Sequence, residues 1–212
     1  MNKLTITTRE EAGISEEAVF ALIKEAYRQL ADNGLDASFL HFTLEDFKTF
    51  VRDAIIFVAV DTETGELLGT HTLLPKREGN FINDRFLAVS PNAKRTGIAS
   101  RMLQVEEEYV RQEGFDYFLD STAIPAVWSV KWHRKNGYRI VGYYRRSPHF
   151  AHYVFRKQLS PSFFWSGPLA PITAYCHFLV SYITTRLTKT SAGKLSLIGR
   201  MTRKVVRAVK RK

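Results

Sequence analysis

Residues 87–99 read Leu-Ala-Val-Ser-Pro-Asn-Ala-Lys-Arg-Thr-Gly-Ile-Ala. A strand-like run, residues 81–89, stops at a proline turn. Lys94 and Arg95 form a basic pair, and Gly97 precedes a segment of helical apolar period. A helix that starts from such a turn offers amides with no acceptor of their own, backed by its positive dipole end. That arrangement binds phosphate oxygens. The chemistry expected here is therefore retention of a phosphorylated carrier by the backbone. Other signatures do not compete with it: there is no Gly-x-Gly-x-x-Gly, no Gly-x4-Gly-Lys and no Gly-x-Ser-x-Gly. His149-x-x-His152 has a suggestive spacing, but strand residues three apart face opposite sides, so no shared metal is expected. Trp128 and Trp132, four apart on a helical segment, read as packing residues.

The elements that must position this turn follow from periodicity. Residues 4–8 alternate as a short strand. Ser15-Glu16-Glu17 starts a helix carrying Val19, Leu22, Ile23, Ala26, Tyr27 and Leu30, closed at Asn33-Gly34. Thr43 opens a second helix with Leu44, Phe47, Phe50, Val51 and Ala54 on one side. Residues 55–60 and 67–74 are strands joined through Thr64-Gly65, and residues 76–80 turn into the strand 81–89. The helix over 97–113 is expected to turn Ile98, Met102, Val105 and Tyr109 inward and Glu106, Glu107 and Arg111 outward. A strand at 117–121, a helix at 126–135 stopped by Asn136-Gly137, and strands at 138–145 and 151–159 complete the series. The order β-α-α-β-β-β-α-β-α-β-β predicts an α/β (mixed α+β) fold whose sheet carries helices on its faces.

The 212 residues suffice for one domain and an extension. Charge divides them. All 21 acidic residues precede residue 160, matched by 21 of the 31 basic ones, so the net +10 resides in 160–212. This predicts a balanced folded domain at 1–159 and a cationic extension at 160–212 suited to an anionic surface. Pro161, Pro168 and Pro171 with Phe163-Phe164-Trp165 separate the two. In 194–212, Leu195, Ile198, Met201, Val205 and Val209 share one helical face, and Arg200, Lys204, Arg207 and Arg211 lie largely on the other. A basic amphipathic helix of this kind suits the surface of an anionic membrane. The lone Cys176 and a start without a secretory apolar run suggest a cytoplasmic protein, peripheral on the inner membrane face.

With its element order and two motifs, the chain over residues 3–159 resembles the GCN5-related N-acetyltransferase superfamily. Val89-x-Pro91-x-x-Lys94-Arg95-x-Gly97-Ile98-Ala99 looks like that family's acyl-CoA pyrophosphate loop, and Trp132-His133-Arg134-Lys135-Asn136-Gly137-Tyr138 like its later segment ending in Gly-aromatic. The resemblance implies a mixed, mostly antiparallel central sheet flanked by helices. It implies acyl transfer from a thioester, acetyl-CoA being the expected donor, to a primary amine by direct attack. The main chain of Leu87, Ala88 and Val89 would pair with the pantetheine arm. The amides of Arg95, Thr96, Gly97, Ile98 and Ala99 would hold the pyrophosphate, with Lys94 adding a point charge where the family more often has Arg or Gln. Ala99 replaces the commoner second Gly and stays small enough for close approach.

Such chemistry needs a neutral amine, a polarised carbonyl and a proton for the departing thiolate. His133 stands where the family often has a Tyr acid; imidazolium is a competent donor to a thiolate. Asp84 is the first choice of base and Asp120 the second, and an amide near Leu87–Val89 is the candidate oxyanion donor. The acceptor is unspecified, with residues 15–54 as its expected wall and Phe39, His41 and Phe42 within it. No metal is expected. Competing readings are a non-catalytic module that binds acyl-CoA, or nucleic acid through the basic tail, and a membrane-docked variant using a longer acyl group.

Overall fold

Seven strands make one sheet in the order β1-β2-β3-β4-β5-β7-β6 in the computed structural model, which describes residues 4–32, 34–35, 38–145 and 151–160. The strands are β1 (Leu4–Thr8), β2 (Ile55–Asp61), β3 (Leu67–Lys76), β4 (Phe81–Val89), β5 (Tyr117–Ala123), β6 (Arg139–Arg145) and β7 (Ala151–Gln158). Every neighbouring pair is antiparallel except β4 and β5. The helices are α1 (Glu16–Asp32), α2 (Leu44–Val51), α3 (Ile98–Gln112) and α4 (Val127–Lys135). The predicted order and mixed fold class are thus found, with strand ends differing by a residue or two and a short 3-10 turn, Ser38–His41, added before α2.

The first two helices, α1 and α2, start where side chains replace missing backbone partners. The Thr43 hydroxyl accepts from the Asp46 amide at 3.1 Å while the Asp46 carboxylate accepts from the Thr43 amide at 2.9 Å, a reciprocal cap. The Ser15 hydroxyl accepts from the Ala18 amide at 3.2 Å.

Alternation along the strands feeds two cores. Phe57 and Ala59 of β2 join Leu73, Ile82, Phe118 and Phe155 beneath α3. Ile56 and Val58 join Val19, Ile23, Phe39 and Phe47 beneath α1 and α2. One facing differs from the sequence reading. Glu106 is fully buried and Val105 is 39% exposed. An acid lies within the apolar arc of α3 because His71, buried on β3, receives it at 2.8 Å. The extension expected over 160–212 lies, beyond Ser160, outside the described residues. No helix among the described residues is long and apolar enough to cross a membrane.

Candidate active site

β4 and β5 run side by side for only three residues each: Phe81, Ile82 and Asn83 against Tyr117, Phe118 and Leu119. Beyond them β5 stays bonded to β7 as far as Ala123, while β4 continues to Val89. Two parallel strands therefore part, and residues 84–89 of β4 have no ladder partner on the β5 side among the described residues. A free strand edge of this kind accepts an extended ligand as an added strand.

β4 also bulges inside this gap. Thr72 pairs with Arg85 and Thr70 with Ala88, so Phe86 and Leu87 together face His71. Phe86 has a φ of 55°, a left-handed conformation that costs about 1–2 kcal/mol at a bulky residue. Its ring is held by Phe39 at 4.5 Å and Phe50 at 5.1 Å, packing that offsets the strain. The extra residue reverses alternation. Ile82 packs into the α3 core before the bulge, and Ala88 into the α1 core after it.

β4 runs into a 3-10 turn, Pro91–Ala93. The Thr96 hydroxyl donates to the Ala93 carbonyl at 2.6 Å. Arg95 and Gly97 take φ of 65° and 86°, so the chain reverses twice before α3. Lys94, Arg95, Thr96 and Gly97 are exposed. Gly97 caps α3 without a side chain, which leaves the first helical amides, those of Ile98 and Ala99, without an acceptor in the helix. A Cβ added at Gly97 would meet nothing within 4 Å, so the turn is open at that residue. α3 is seated by Gly69, where a Cβ would stand 2.9 Å from the Met102 sulfur and 3.1 Å from Ile98 Cγ2.

Two polar systems flank the gap. In the first, His133 of α4 brings Nε2 to 2.6 Å from Asp120 Oδ2, and Nδ1 lies 2.7 Å from the Ser129 carbonyl. A carbonyl only accepts, so Nδ1 carries a hydrogen and the proton on the other side is shared with Asp120. Burial works against charge on His133. The Asp120 hydrogen bond and charge outweigh it, with help from the Ser129 carbonyl, and hold its pKa above the ordinary value. Phe155 stacks on the ring at 4.4 Å.

In the second, the Tyr138 hydroxyl donates to Asp84 Oδ2 at 2.6 Å. Asp84 is 1% exposed. Burial first, then the negative charge of Asp120, raises its pKa to about 7, against the pull of His71 and Tyr138. Burial lowers the His71 pKa, but the charge and hydrogen bond of Glu106 prevail and raise it to about 9.

On the α1 side, where β4 and β5 begin to part, lies a cleft of about 190 Å³ that includes Asn83, Arg85, Asp120, Ser121 and Tyr144. Arg85 Nη1 donates to the Ser121 hydroxyl at 3.0 Å and stands 4.0 Å from Asp120 Oδ1.

The sequence-predicted residues thus fall into three places. Leu87, Ala88 and Val89 form the free edge. Lys94, Arg95, Thr96 and Gly97 form the exposed turn, and Ile98 and Ala99 the helix start, with the Ile98 side chain buried in the α3 core. His133 and Asp120 are bonded to one another. Asp84 is not bonded to this pair and lies inside the protein, under the Tyr138 ring that packs 5.0 Å from that of His133, while Asp120 reaches the cleft. Phe39 of the expected acceptor wall is 1% exposed and belongs to the core. The sequence reading does not assign roles to Ser129, Arg85, Tyr138 or the His71–Glu106 pair. Ser129 lies one helical turn from His133, a spacing that local pattern could report; the others meet partners 35 to 54 residues away, a separation that no local pattern reports.

The site is thus a mixed seven-stranded sheet that splays between parallel β4 and β5, with a bulged edge leading into an open helix N-terminus, an architecture suited to an extended ligand that ends in an anionic group. The model of the acetyltransferase (GNAT) family matches residues 17–138. The chain belongs to this family, which makes it an acyl-CoA-dependent N-acyltransferase. Solved structures share the fold. An IAA acetyltransferase from Bacillus cereus is 16% identical, with 74% of this chain and 99% of that one covered and a TM-score of 0.56. The ribosomal-protein-S18-alanine N-acetyltransferase of Escherichia coli is 13% identical, with 75% and 96% covered and a TM-score of 0.57. A GNAT family acetyltransferase from Elizabethkingia anophelis with acetyl-CoA bound is 13% identical, with 74% and 99% covered and a TM-score of 0.58. The comparison with curated proteins found no match.

Proposed function

We propose that this chain moves an acetyl group from acetyl-CoA directly onto a primary amine while both are bound. The observation that carries the reading is the parting of β4 from β5 beyond Asn83, with the exposed Gly97 turn where β4 gives way to α3. In this reading the free edge at Leu87, Ala88 and Val89 receives the pantetheine amides. The amides from Arg95 to Ala99, with Lys94 beside them, hold the diphosphate. The family's use of acetyl-CoA, and the acetyl-CoA bound in a neighbour of the same fold, support the donor.

The donor supplies a thioester carbonyl. The chain supplies orientation and proton handling. Bulged backbone at Leu87 is the candidate oxyanion donor. Asp120 is favoured over Asp84 as base because it lines the cleft, whereas Asp84 is buried under Tyr138. His133 fixes Asp120 from behind and shares its proton. Because both ring nitrogens of His133 are engaged, a proton from His133 reaches the departing thiolate by way of Asp120 in this scheme.

A thiol-release assay with acetyl-CoA and an amine panel tests the reading. Turnover that disappears in Gly97→Glu is the expected result; tight CoA binding without turnover of any amine would establish the binding module instead. The basic, acid-free residues 160–212 support attachment to an anionic membrane on its cytoplasmic side. Flotation with phosphatidylglycerol liposomes should separate the full chain from one ended at Ser160; equal flotation would refute the attachment.

A further inference from the structure

The cleft beside the splay carries one charge of each sign at close range. Asp120 presents a carboxylate, and Arg85 presents a guanidinium 4.0 Å away. An acyltransferase that only had to accept an amine would need the anion alone. A cation next to the base works against it, since positive charge repels an incoming ammonium. Arg85 is nevertheless fixed there: one nitrogen donates to the Ser121 hydroxyl at 3.0 Å, and that hydroxyl lies 3.1 Å from the Tyr144 hydroxyl. The guanidinium is planar with five donor hydrogens, and this bond uses one of them. Its side chain remains 33% exposed. Asn83 adds a carbonyl oxygen that is buried without a hydrogen-bond partner, so an N–H from a ligand would satisfy it. The cleft, about 190 Å³, is smaller than the roughly 300–1,000 Å³ typical of drug-sized ligands.

We propose that the acceptor is a free α-amino acid or a close analogue whose amine and carboxylate are separated by one or two carbons. Its carboxylate would sit on Arg85 and its amine between Asp120 and Asn83. The short spacing between Arg85 and Asp120 sets this choice, because an amine remote from its carboxylate cannot engage both. The inference rests on the transferase reading above. In the step itself the ammonium gives one proton to Asp120, the nitrogen attacks the thioester carbonyl, and the C–N bond forms as the C–S bond breaks. The nitrogen's second proton is lost as the amide forms. One proton ends on the CoA thiol and one leaves to solvent, so the products are an N-acetyl amino acid and free CoA.

The test is thiol release from acetyl-CoA with the twenty amino acids, their carboxamides and the corresponding decarboxylated amines. A carboxamide holds more neutral amine at the same pH, so nucleophilicity alone favours it over the acid. The expected result is that at least one amino acid exceeds its carboxamide by about 10- to 100-fold in kcat/KM, the effect of a charged hydrogen bond made or lost. Arg85→Gln should collapse that ratio towards one, chiefly through KM, and Arg85→Lys should restore part of it. A protein that turns over amines without regard to the carboxylate overturns the inference and leaves the transferase reading in place. So does an acid preference that survives in R85Q. Absence of transfer to every amino acid also overturns it, and a parallel calorimetric titration with CoA then tells whether the transferase reading falls too.

Discussion

Replacing Asp120 by Asn keeps the volume and removes the charge. The native contact is 2.6 Å long, and its histidine is 4% exposed. In Asp120→Asn the new amide can donate to Nε2 of a neutral His133, while Nδ1 still donates to the Ser129 carbonyl. The ring therefore stays in place. What changes is its proton. The Asp120 hydrogen bond and charge are what outweigh burial at His133. Without them burial prevails, and the pKa falls below the ordinary value of about 6.5. Losing a charge-assisted hydrogen bond for a neutral one costs about 1 kcal/mol, which lowers Tm by roughly 2–4 °C for a domain of this size. Loss of base and proton store together should lower kcat by about 10²–10⁴. Thiol release with the best amine, followed from pH 6 to 9 beside a thermal melt, reads both. Because the pair acts as a unit, His133→Gln added to Asp120→Asn should lower the rate little further. A D120N enzyme within about threefold of wild-type kcat at every pH would refute the assignment.

Gly97→Ala and Gly97→Glu share the strain of a left-handed residue, about 1–2 kcal/mol; only Glu brings a negative charge to the turn. Calorimetry should show CoA affinity at least about tenfold weaker in Glu than in Ala; equal affinities would place the diphosphate elsewhere. The raised pKa of His71, about 9 against 6.5 unfolded, contributes stability that is complete below pH 6.5 and lost as pH rises through 9, amounting to at most about 3 kcal/mol. Asp84, with its pKa raised to about 7 from 3.8, withdraws stability between those values, so the decline above pH 7 belongs to His71 together with His133, whose pKa is also raised. Denaturant melts should show that decline in the wild type and a smaller one in Glu106→Gln; a decline of undiminished size in the variant would contradict the pair. Phe39→Ala removes a ring that is 1% exposed and packs 4.5 Å from Phe86; urea unfolding should register a loss of about 3–5 kcal/mol.

The sequence was most readable where local chemistry decides structure. Thr43 with Asp46 three residues on, Thr64-Gly65 between apolar runs, and Pro91 followed by Gly97 each act within a few residues, and the cap, hairpin and turn lie where those residues stand. Helical period places Glu106 outward because it assigns polarity to a side without regard to what meets it; only the buried His71 across the core makes an inward acid tolerable. Arg85 is not legible because its partners, Ser121 and Asp120, lie on another strand about 35 residues on. The bulge at Phe86 and Leu87 is hidden as well, since strict alternation continues through a strand on paper, and it reverses the facing of the residues after it. His133 and Asp120 were each legible as candidates, but their bond is not. It forms because α4 folds back over β5, and Phe155, from a third element, fixes the ring.

Amide chemical shifts during titration with CoA test the account most directly. The largest changes should fall on Arg95, Thr96, Gly97, Ile98 and Ala99, with a second group at Leu87, Ala88 and Val89. Saturable binding that leaves those amides unmoved while shifting others would contradict it.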